Sequence, residues 1–515
     1  MRSNGARRNL HGHDPATAAD GVVGAYADEY FEYDESQRVA VHVLAGGSSQ
    51  YTLEYEDRSD CPGYVPGYNS WEVKTVETRP DGSQNIYYSN YVGLPIVKEL
   101  RAGSDRWIEY KEYDEDGQVV LHAMPSAVED YTVDSGSSSG EVPCGELVVS
   151  LRPDVGVIRL KEYYGADSSG SSSGEGCWGP EGYLRAEMVQ CGSLGEEVLL
   201  REYCYTEHSL PGGPAVYPLA SVTEYRNDDG TGGITTTYSY TWHPDSVQIE
   251  QKTTTLPAVP AGQNGQDVTH DVVEVYDTSG RLIWAKSACG SITHHEYDAA
   301  TGARIRTIAD VDTTQVDDEP AGWTTVSGWG AHLTTDYELD AQARVVQTLG
   351  PLHNANGQQV RQASWIVYND EDDETWSAAG YAVPEIDGEG YDYALVGPVS
   401  FGRNSENGRV VDQISAVPAH TVGRLAGDEQ FPQSSWCRWS RSISDDQGRL
   451  TATRGYHTIP SDGDGLPGAR PSAPTWAPAT RTPPRATRPA MATRRTTWCS
   501  SPRWSTTTAT AATAT

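Results

Sequence analysis

The chain has 515 residues and a formal net charge of −34 at pH 7. No acidic residue follows Asp464, whereas seven arginines do, so an acidic body precedes a basic tail. Such a body repels phosphate backbones, which argues against nucleic acid as its partner. With 30 tyrosines, 14 tryptophans and only 3 phenylalanines, the composition favours half-buried strand surfaces.

Residues 1–20 are polar and irregular, and we expect a disordered lead there. They lack the apolar region of a secretory signal, and no later run approaches the length of a membrane span. The cysteines show no metal-ligand spacing and are most simply small buried or incidental thiols, at Cys61, Cys144, Cys177, Cys191, Cys204, Cys289, Cys437 and Cys499. This pattern leaves the redox compartment open.

Short strand-like segments alternate with turns along the body. Glu29 to Val41 contains a Tyr-Asp turn whose expected glycine is missing, and Ile108 to Val120 restates the turn with Gln118 in place of arginine. Two Gly/Ser stretches, residues 135–140 and 168–174, cannot bury apolar area and are expected to be loops. The sequence predicts strands and turns, with no long amphipathic helix.

The clearest repeat lies between Val272 and Val311. Tyr276-Asp277 recurs as Tyr297-Asp298, 21 residues later. The carboxylate of Asp277 can accept a backbone N–H two residues on, and Gly280 supplies the positive φ that such a turn needs. A fixed period of this length indicates a repeat architecture in which each unit holds about two strands.

This pattern resembles the RHS/YD repeat family (rearrangement hot spot, tyrosine-aspartate repeats). The positions that fall on the family consensus, and that we take as repeat-defining, are Tyr276, Asp277, Gly280, Arg281, Leu282, Gly290, Thr293, Tyr297, Asp298, Thr301 and Gly302. The resemblance extends over roughly residues 22–460 and is closest at 272–311.

The resemblance implies an all-β fold over residues 21–464, in which antiparallel hairpins form a curved, spiralling sheet. Family members include bacterial toxins whose shell encloses a C-terminal toxic segment, and animal cell-surface adhesion proteins. This chain has no Asp-Pro-x-Gly motif near its end, so self-cleavage and a toxic payload are not carried over. We expect part of a shell wall, because an open strand array leaves edges to be paired or capped.

Residues 465–515 differ in composition from the body, with Thr, Ala, Pro and Arg dominant and no Tyr-Asp turn. One interpretation is a disordered basic tail, since the segment has little apolar content to offset ordering entropy. The other is a frameshifted translation, because the turn rhythm stops abruptly at Asp464. Finding Tyr-Asp units in another reading frame of the DNA would decide between them.

Motifs for chemistry are weak. Residues 136–140 and 170–174 match Gly-x-Ser-x-Gly without the strand and helix that a nucleophile elbow needs. The acidic runs near residues 310–319 and 370–374 fail the EF-hand pattern. His294 and His295 are adjacent in a predicted strand, which places them on opposite faces. We expect no catalytic residue, no cofactor and no metal site.

The arginines that follow turns have two interpretations. Arg281, Arg344, Arg409 and Arg449 would form a ligand-binding row if they are functional, or each pairs with a turn carboxylate or a tyrosine face. We favour the structural role. It would explain why arginine recurs at one position after the turn.

The sequence therefore predicts a non-enzymatic scaffold, part of a β-shell that encloses a cargo or toxin polypeptide. Its partner would be that polypeptide or the remainder of the shell. The alternative is a cell-surface adhesion module that binds carbohydrate or protein through tyrosine and tryptophan, since sugar rings stack on aromatic faces. The family resemblance implies an extracellular or cell-surface location.

Overall fold

The described part of the chain is almost entirely strand and turn. The structure is a computed structural model and describes residues 29–44, 49–59, 61, 64–133, 145–165, 177–370, 374–386, 388, 390–405, 409–444, 450–456 and 459. Within these ranges there is no α-helix, and two single turns of 3-10 helix lie at Ala261–Gln263 and Gln433–Ser435. The expectation of an all-β fold is confirmed.

The strands follow one another at short intervals. The first ten are β1 (Glu29–Tyr33), β2 (Val39–Leu44), β3 (Ser49–Asp57), β4 (Val73–Thr78), β5 (Gln84–Ser89), β6 (Pro95–Ala102), β7 (Asp105–Tyr113), β8 (Val119–Ala123), β9 (Val128–Val133) and β10 (Leu147–Leu151). The next ten are β11 (Val157–Tyr163), β12 (Leu184–Cys191), β13 (Glu197–Tyr205), β14 (His208–Ser209), β15 (Ala215–Val216), β16 (Leu219–Tyr225), β17 (Gly233–Trp242), β18 (Ile249–Leu256), β19 (His270–Tyr276) and β20 (Leu282–Lys286). The last ten are β21 (Ile292–Tyr297), β22 (Arg304–Ala309), β23 (Leu333–Leu339), β24 (Val345–Ala355), β25 (Gln358–Asn369), β26 (Glu374–Pro384), β27 (Tyr391–Ser405), β28 (Val410–Ala416), β29 (Trp436–Ser444) and β30 (Leu450–Tyr456).

Twenty-six of these strands form one antiparallel sheet in chain order. Each strand pairs with the next, except that β8 pairs with β11 and β13 with β16. The hairpins β9–β10 and β14–β15 stand outside the sheet as separate pairs. The sheet is open, because within the described ranges β1 pairs only with β2 and β30 only with β29.

The register defines two faces of the sheet. Residues directly opposite each other share a face, and successive residues alternate. Following the pairs from strand to strand places Tyr88, Trp284 and Trp439 on one side, which we call the covered face. Tyr240 and Tyr297 lie on the other side, which we call the open face.

Three buried clusters lie against the covered face, and each is closed by a segment outside the sheet. The hairpin β9–β10 packs over the cluster that contains Tyr88. Residues 310–332 bring Val316 and Trp323 against Trp284. Residues 417–435 bring Leu425 and Phe431 into the cluster that contains Trp439. The sheet therefore obtains its core from its own connections.

The cysteines correct the sequence interpretation. Cys177 is disulfide-bonded to Cys204, with their Cα atoms 5.1 Å apart, and Cys61 and Cys191 are also in disulfides. Within the described ranges, free thiols are found at Cys289 and Cys437. Spacing along the chain did not reveal the bond, because the sheet brings together residues 27 positions apart.

Several predictions fall on residues outside the described ranges. These are the disordered lead at 1–20, the Gly/Ser loops at 135–140 and 168–174, and the tail at 465–515. Where the chain is described, no helix is long and apolar enough to cross a membrane.

Candidate functional site

The turn between β19 and β20 is built around the carboxylate of Asp277. Its Oδ1 accepts the backbone N–H of Ser279 at 2.8 Å and of Arg281 at 2.9 Å. The backbone closes with Gly280 N–H donating to the Asp277 carbonyl at 2.9 Å, and Gly280 has φ of 75°. The predicted aspartate turn is present, with glycine in the left-handed region that its lack of a side chain permits.

The side chain of Arg281 joins this turn to the next strand. Its Nε donates to Asp277 Oδ2 at 2.7 Å, and its guanidinium carbon lies 4.9 Å from the ring centroid of Tyr297. The Tyr297 hydroxyl donates to the carbonyl of Leu282 at 2.8 Å. We call this set of Asp277, Arg281 and Tyr297 a clamp, because it ties a turn to the strand that follows.

Electrostatics favours the ionised form of Asp277. Burial opposes ionisation, but the N–H groups of Arg281 and Ser279 and the Arg281 guanidinium outweigh it, so the pKa of Asp277 is lowered. The pair remains partly exposed, with 32% and 21% of the two side chains accessible. Solvent screening therefore limits the ion pair to about 1 kcal/mol or less.

The second turn of the tandem differs in one respect. Asp298 Oδ1 accepts both the N–H and the hydroxyl of Thr301 at 2.7 Å, and Gly302 takes the positive φ at 72°. Ala303 follows the glycine, so no arginine reaches back to this aspartate. The extra residue of the second turn replaces the ion pair with a threonine contact.

The remaining consensus positions lie between the two turns. Gly290, with φ of 89°, closes the turn between β20 and β21 by donating to the Ser287 carbonyl at 2.9 Å. Thr293 lies in β21, opposite Ala285 and Ala309. Tyr276 ends β19, and Leu282 begins β20. All eleven positions thus lie at turns or strand ends, or within the strands that join them.

The clamp recurs at two other places. Asp34, Arg38 and Tyr55 repeat it, with Arg38 4.4 Å from the tyrosine ring, and Asp340, Arg344 and Tyr368 repeat it at 4.1 Å. The structural interpretation of the post-turn arginine is confirmed for Arg281 and Arg344. Arg449 lies outside the described ranges.

A second recurring contact was missed at the sequence level. Tyrosine hydroxyls near the ends of strands donate to the carbonyl of the first residue of the neighbouring strand, at 2.7 to 3.1 Å, in the pairs Tyr55–Val39, Tyr113–Pro95, Tyr163–Val119, Tyr205–Leu184, Tyr240–Leu219 and Tyr297–Leu282. The available signal was the placement of tyrosine just before a turn. This contact gives the repeated tyrosine a hydrogen-bonding role in the sheet.

The acidic runs and the histidine pair are taken up by local contacts. Asp370 pairs with Arg344, and Asp312 accepts N–H and hydroxyl donors from Thr314. His294 is buried on the covered face, whereas His295 contacts Thr307 on the open face. Within the described ranges, no group of three or more His, Cys, Asp or Glu side chains is arranged to hold a metal ion. The two Gly-x-Ser-x-Gly matches lie outside those ranges.

Comparison with known proteins gives structural matches alone. No protein-family model and no curated protein matches the chain. Three crystal structures of TcdB2-TccC3 align at 12% identity: that of TcdB2-TccC3-Cdc42 with a TM-score of 0.34, that of TcdB2-TccC3 with 0.30, and that without the hypervariable C-terminal region with 0.33. The alignments cover 84%, 85% and 83% of this chain, but only 20%, 22% and 21% of those chains.

This chain therefore spans about a fifth of the length of the structures it matches. Its similarity to them concerns the arrangement of strands, and the scores carry no argument about binding.

The tryptophans bear on the adhesion alternative. Six of them, Trp71, Trp284, Trp365, Trp376, Trp436 and Trp439, are buried in the clusters of the covered face. A buried indole cannot stack on a sugar ring. The aromatic richness that suggested carbohydrate binding is thus largely accounted for by the core.

Proposed function

We propose that the chain is one section of a β-sheet wall that encloses another polypeptide, and that it acts by steric isolation rather than by catalysis. The observation that carries the proposal is the meander itself. Twenty-six strands form one sheet in chain order. Every part of the body is thereby committed to a single continuous layer.

The two ends of the meander support a role as a section. The outer edges of β1 and β30 have no strand partner within the described ranges. An unpaired edge presents a row of N–H and C=O groups that favours pairing with another strand. We propose that further strands, from the same or another polypeptide, continue the wall at these edges.

The recurring clamps suit a wall that must keep its register. A one-residue slip would move each side chain to the opposite face and would expose the clusters that hold Trp284 and Trp439. Arg281 and Tyr297 tie turn and strand together by contacts that a slipped register cannot make. Such a sheet can be long without an independent core at each strand.

The disulfides support an extracellular or cell-surface location. Cys177–Cys204 and the bonded Cys61 and Cys191 would be reduced in an ordinary cytosol, whereas secreted proteins keep such bonds. We therefore propose that the protein works outside the cytosol. No specific contact favours the carbohydrate-binding alternative.

Protection of an enclosed polypeptide tests the wall. The probe is the polypeptide encoded directly downstream of this chain, co-expressed with it and then treated with proteinase K. We expect the intact probe to survive at least about tenfold longer than the probe alone, because an enclosed chain cannot enter the protease. The matched control is the same probe added after the wall protein has folded. Equal digestion in the co-expressed and added samples would refute enclosure.

A further inference from the structure

A groove with aromatic and acidic lining lies at one rim of the sheet. It is bounded by the β3–β4 connection, the β5–β6 turn and the β7–β8 turn, and has a volume of about 690 Å³. Its lining includes Val65, Pro66, Tyr68, Tyr91, Asp114 and Glu115. None of the clamps described above contributes to its walls. The groove is therefore a feature separate from the repeat.

Hydrogen bonds hold the three walls of the groove together. Asn69 donates to the Tyr113 carbonyl and accepts the Tyr113 N–H, both at 2.7 Å. Asn90 donates to the Tyr68 carbonyl at 2.9 Å. A surface fixed in this way loses little conformational freedom when it binds a partner. The groove is thus formed before any ligand arrives.

Two tyrosines form the aromatic part of the groove. The rings of Tyr68 and Tyr91 lie 5.5 Å apart at an angle of 47°. Tyr91 is 44% exposed and Val65 is 73% exposed, so apolar surface remains open to solvent. Tilted tyrosine rings offer flat faces to pyrrolidine rings and hydroxyls to peptide carbonyls.

The charge of the groove has one sign. Asp114 and Glu115 line it, and no lysine, arginine or histidine does. The pKa of Tyr68 is raised, first by its hydrogen bond with Tyr91 and further by the negative charges of Asp116 and Asp114. A ligand that fits this field carries cationic side chains beside an apolar, extended backbone.

The basic tail contains a segment with that chemistry. Arg481-Thr482-Pro483-Pro484-Arg485 places two prolines between two arginines, and no acidic residue occurs anywhere after Asp464. Adjacent prolines favour the polyproline II conformation, whose carbonyls are free to accept hydrogen bonds. Grooves lined by aromatic residues bind such segments at low entropic cost.

We propose that this groove binds residues 481–485 of the chain's own tail, with Pro483 and Pro484 against Tyr68 and Tyr91 and the flanking arginines beside Asp114 and Glu115. The proposal takes the tail as the protein carries it and does not depend on the enclosing role proposed above. At an effective concentration on the order of 1 mM, a site with a Kd of about 0.1 mM would be occupied about tenfold more often than empty.

Trypsin digestion of the full chain tests the proposal, because the tail carries its own internal control. Trypsin can cut after Arg481 and Arg485 inside the bound segment, and after Arg495 and Arg503 outside it. Initial rates are measured by mass spectrometry and divided by those of a synthetic peptide of residues 465–515. We expect cleavage after Arg481 and Arg485 to be about tenfold slower than after the outer sites.

Three variants complete the test. Tyr91→Ala and Glu115→Lys should remove the protection, whereas Tyr381→Ala, at a tyrosine of similar exposure on the open face, should leave it intact. Circular dichroism confirms that each variant is folded. Protection that grows with chain concentration would place the bound segment in a second copy, and protection independent of concentration would place it in the same chain. Equal normalised rates at all four sites in the wild type, or undiminished protection in both groove variants, would overturn the proposal.

Discussion

The imidazole of His294 lies flat on the indole of Trp284, with ring centroids 3.9 Å apart and planes 3° from parallel. Residues 310–332 cover this pair, and Asp318 Oδ2 lies 3.6 Å from His294 Nε2. His294 Nδ1 is buried and has no hydrogen-bond partner. A neutral ring is favoured in this position, because burial penalises its charge.

This arrangement predicts a loss of stability in acid. Burial lowers the pKa of His294 below its ordinary value of 6.5, and Arg306 adds to this effect, while Asp318 and Glu296 oppose it. The unfolded chain therefore binds the proton more readily, so the contribution of His294 is full above about pH 6.5 and declines as the pH falls towards the lowered folded value.

We expect the free energy of unfolding to decrease between pH 7 and pH 5, and His294→Gln to flatten part of that slope. Urea denaturation at several pH values measures the slope, and His353→Gln, at an exposed histidine, is the control. An unchanged slope in His294→Gln would contradict the assignment.

The clamp predicts an order of destabilisation at one turn. Asp277→Ala removes the acceptor of two backbone N–H groups and the partner of Arg281, so we expect a loss of about 1–2 kcal/mol. Asp277→Asn keeps an oxygen for those donors and loses mainly the charge, so its loss should be about 1 kcal/mol or less.

Urea denaturation gives both values, and a double-mutant cycle with Arg281→Ala isolates the pair. Equal effects of the alanine and asparagine variants would show that the backbone contacts contribute little.

The turn at Asp340 carries alanine where Asp277's turn carries glycine. Ala343 has φ of 61°, a left-handed conformation that costs a side-chain-bearing residue roughly 1–2 kcal/mol. Ala343→Gly relieves this cost but adds freedom to the unfolded chain, so we expect a net gain of about 0.5–1 kcal/mol.

Ala341→Gly in the same turn is the matched control, because Ala341 has no positive φ and should lose stability when changed to glycine. Thermal denaturation decides the sign, and destabilisation by both substitutions would refute the strain argument.

These examples show which features are readable from sequence. The turns at Asp277 and Asp298 follow from contacts within five residues, so local residue types predict them well. The burial of Trp284 depends on Trp323, which a long connection returns to the sheet. Similarly, the groove joins Tyr68 to residues near 91 and 114. Contacts of this kind depend on the register of the whole sheet, which no local pattern encodes.

The bond between Cys177 and Cys204 predicts a large effect of reduction. It closes a loop of 27 residues, and the loss of chain entropy in the unfolded state corresponds to about 3.5 kcal/mol at 25 °C. We expect the variant with serine at both positions to unfold at lower urea concentration than the wild type under oxidising conditions. Under reducing conditions the two proteins should differ far less, since the wild type then also lacks the bond. Cys437→Ser, at an exposed free thiol, is the control and should behave like the wild type in both. Equal stabilities of the double variant and the oxidised wild type would mean that the bond does not constrain the unfolded chain.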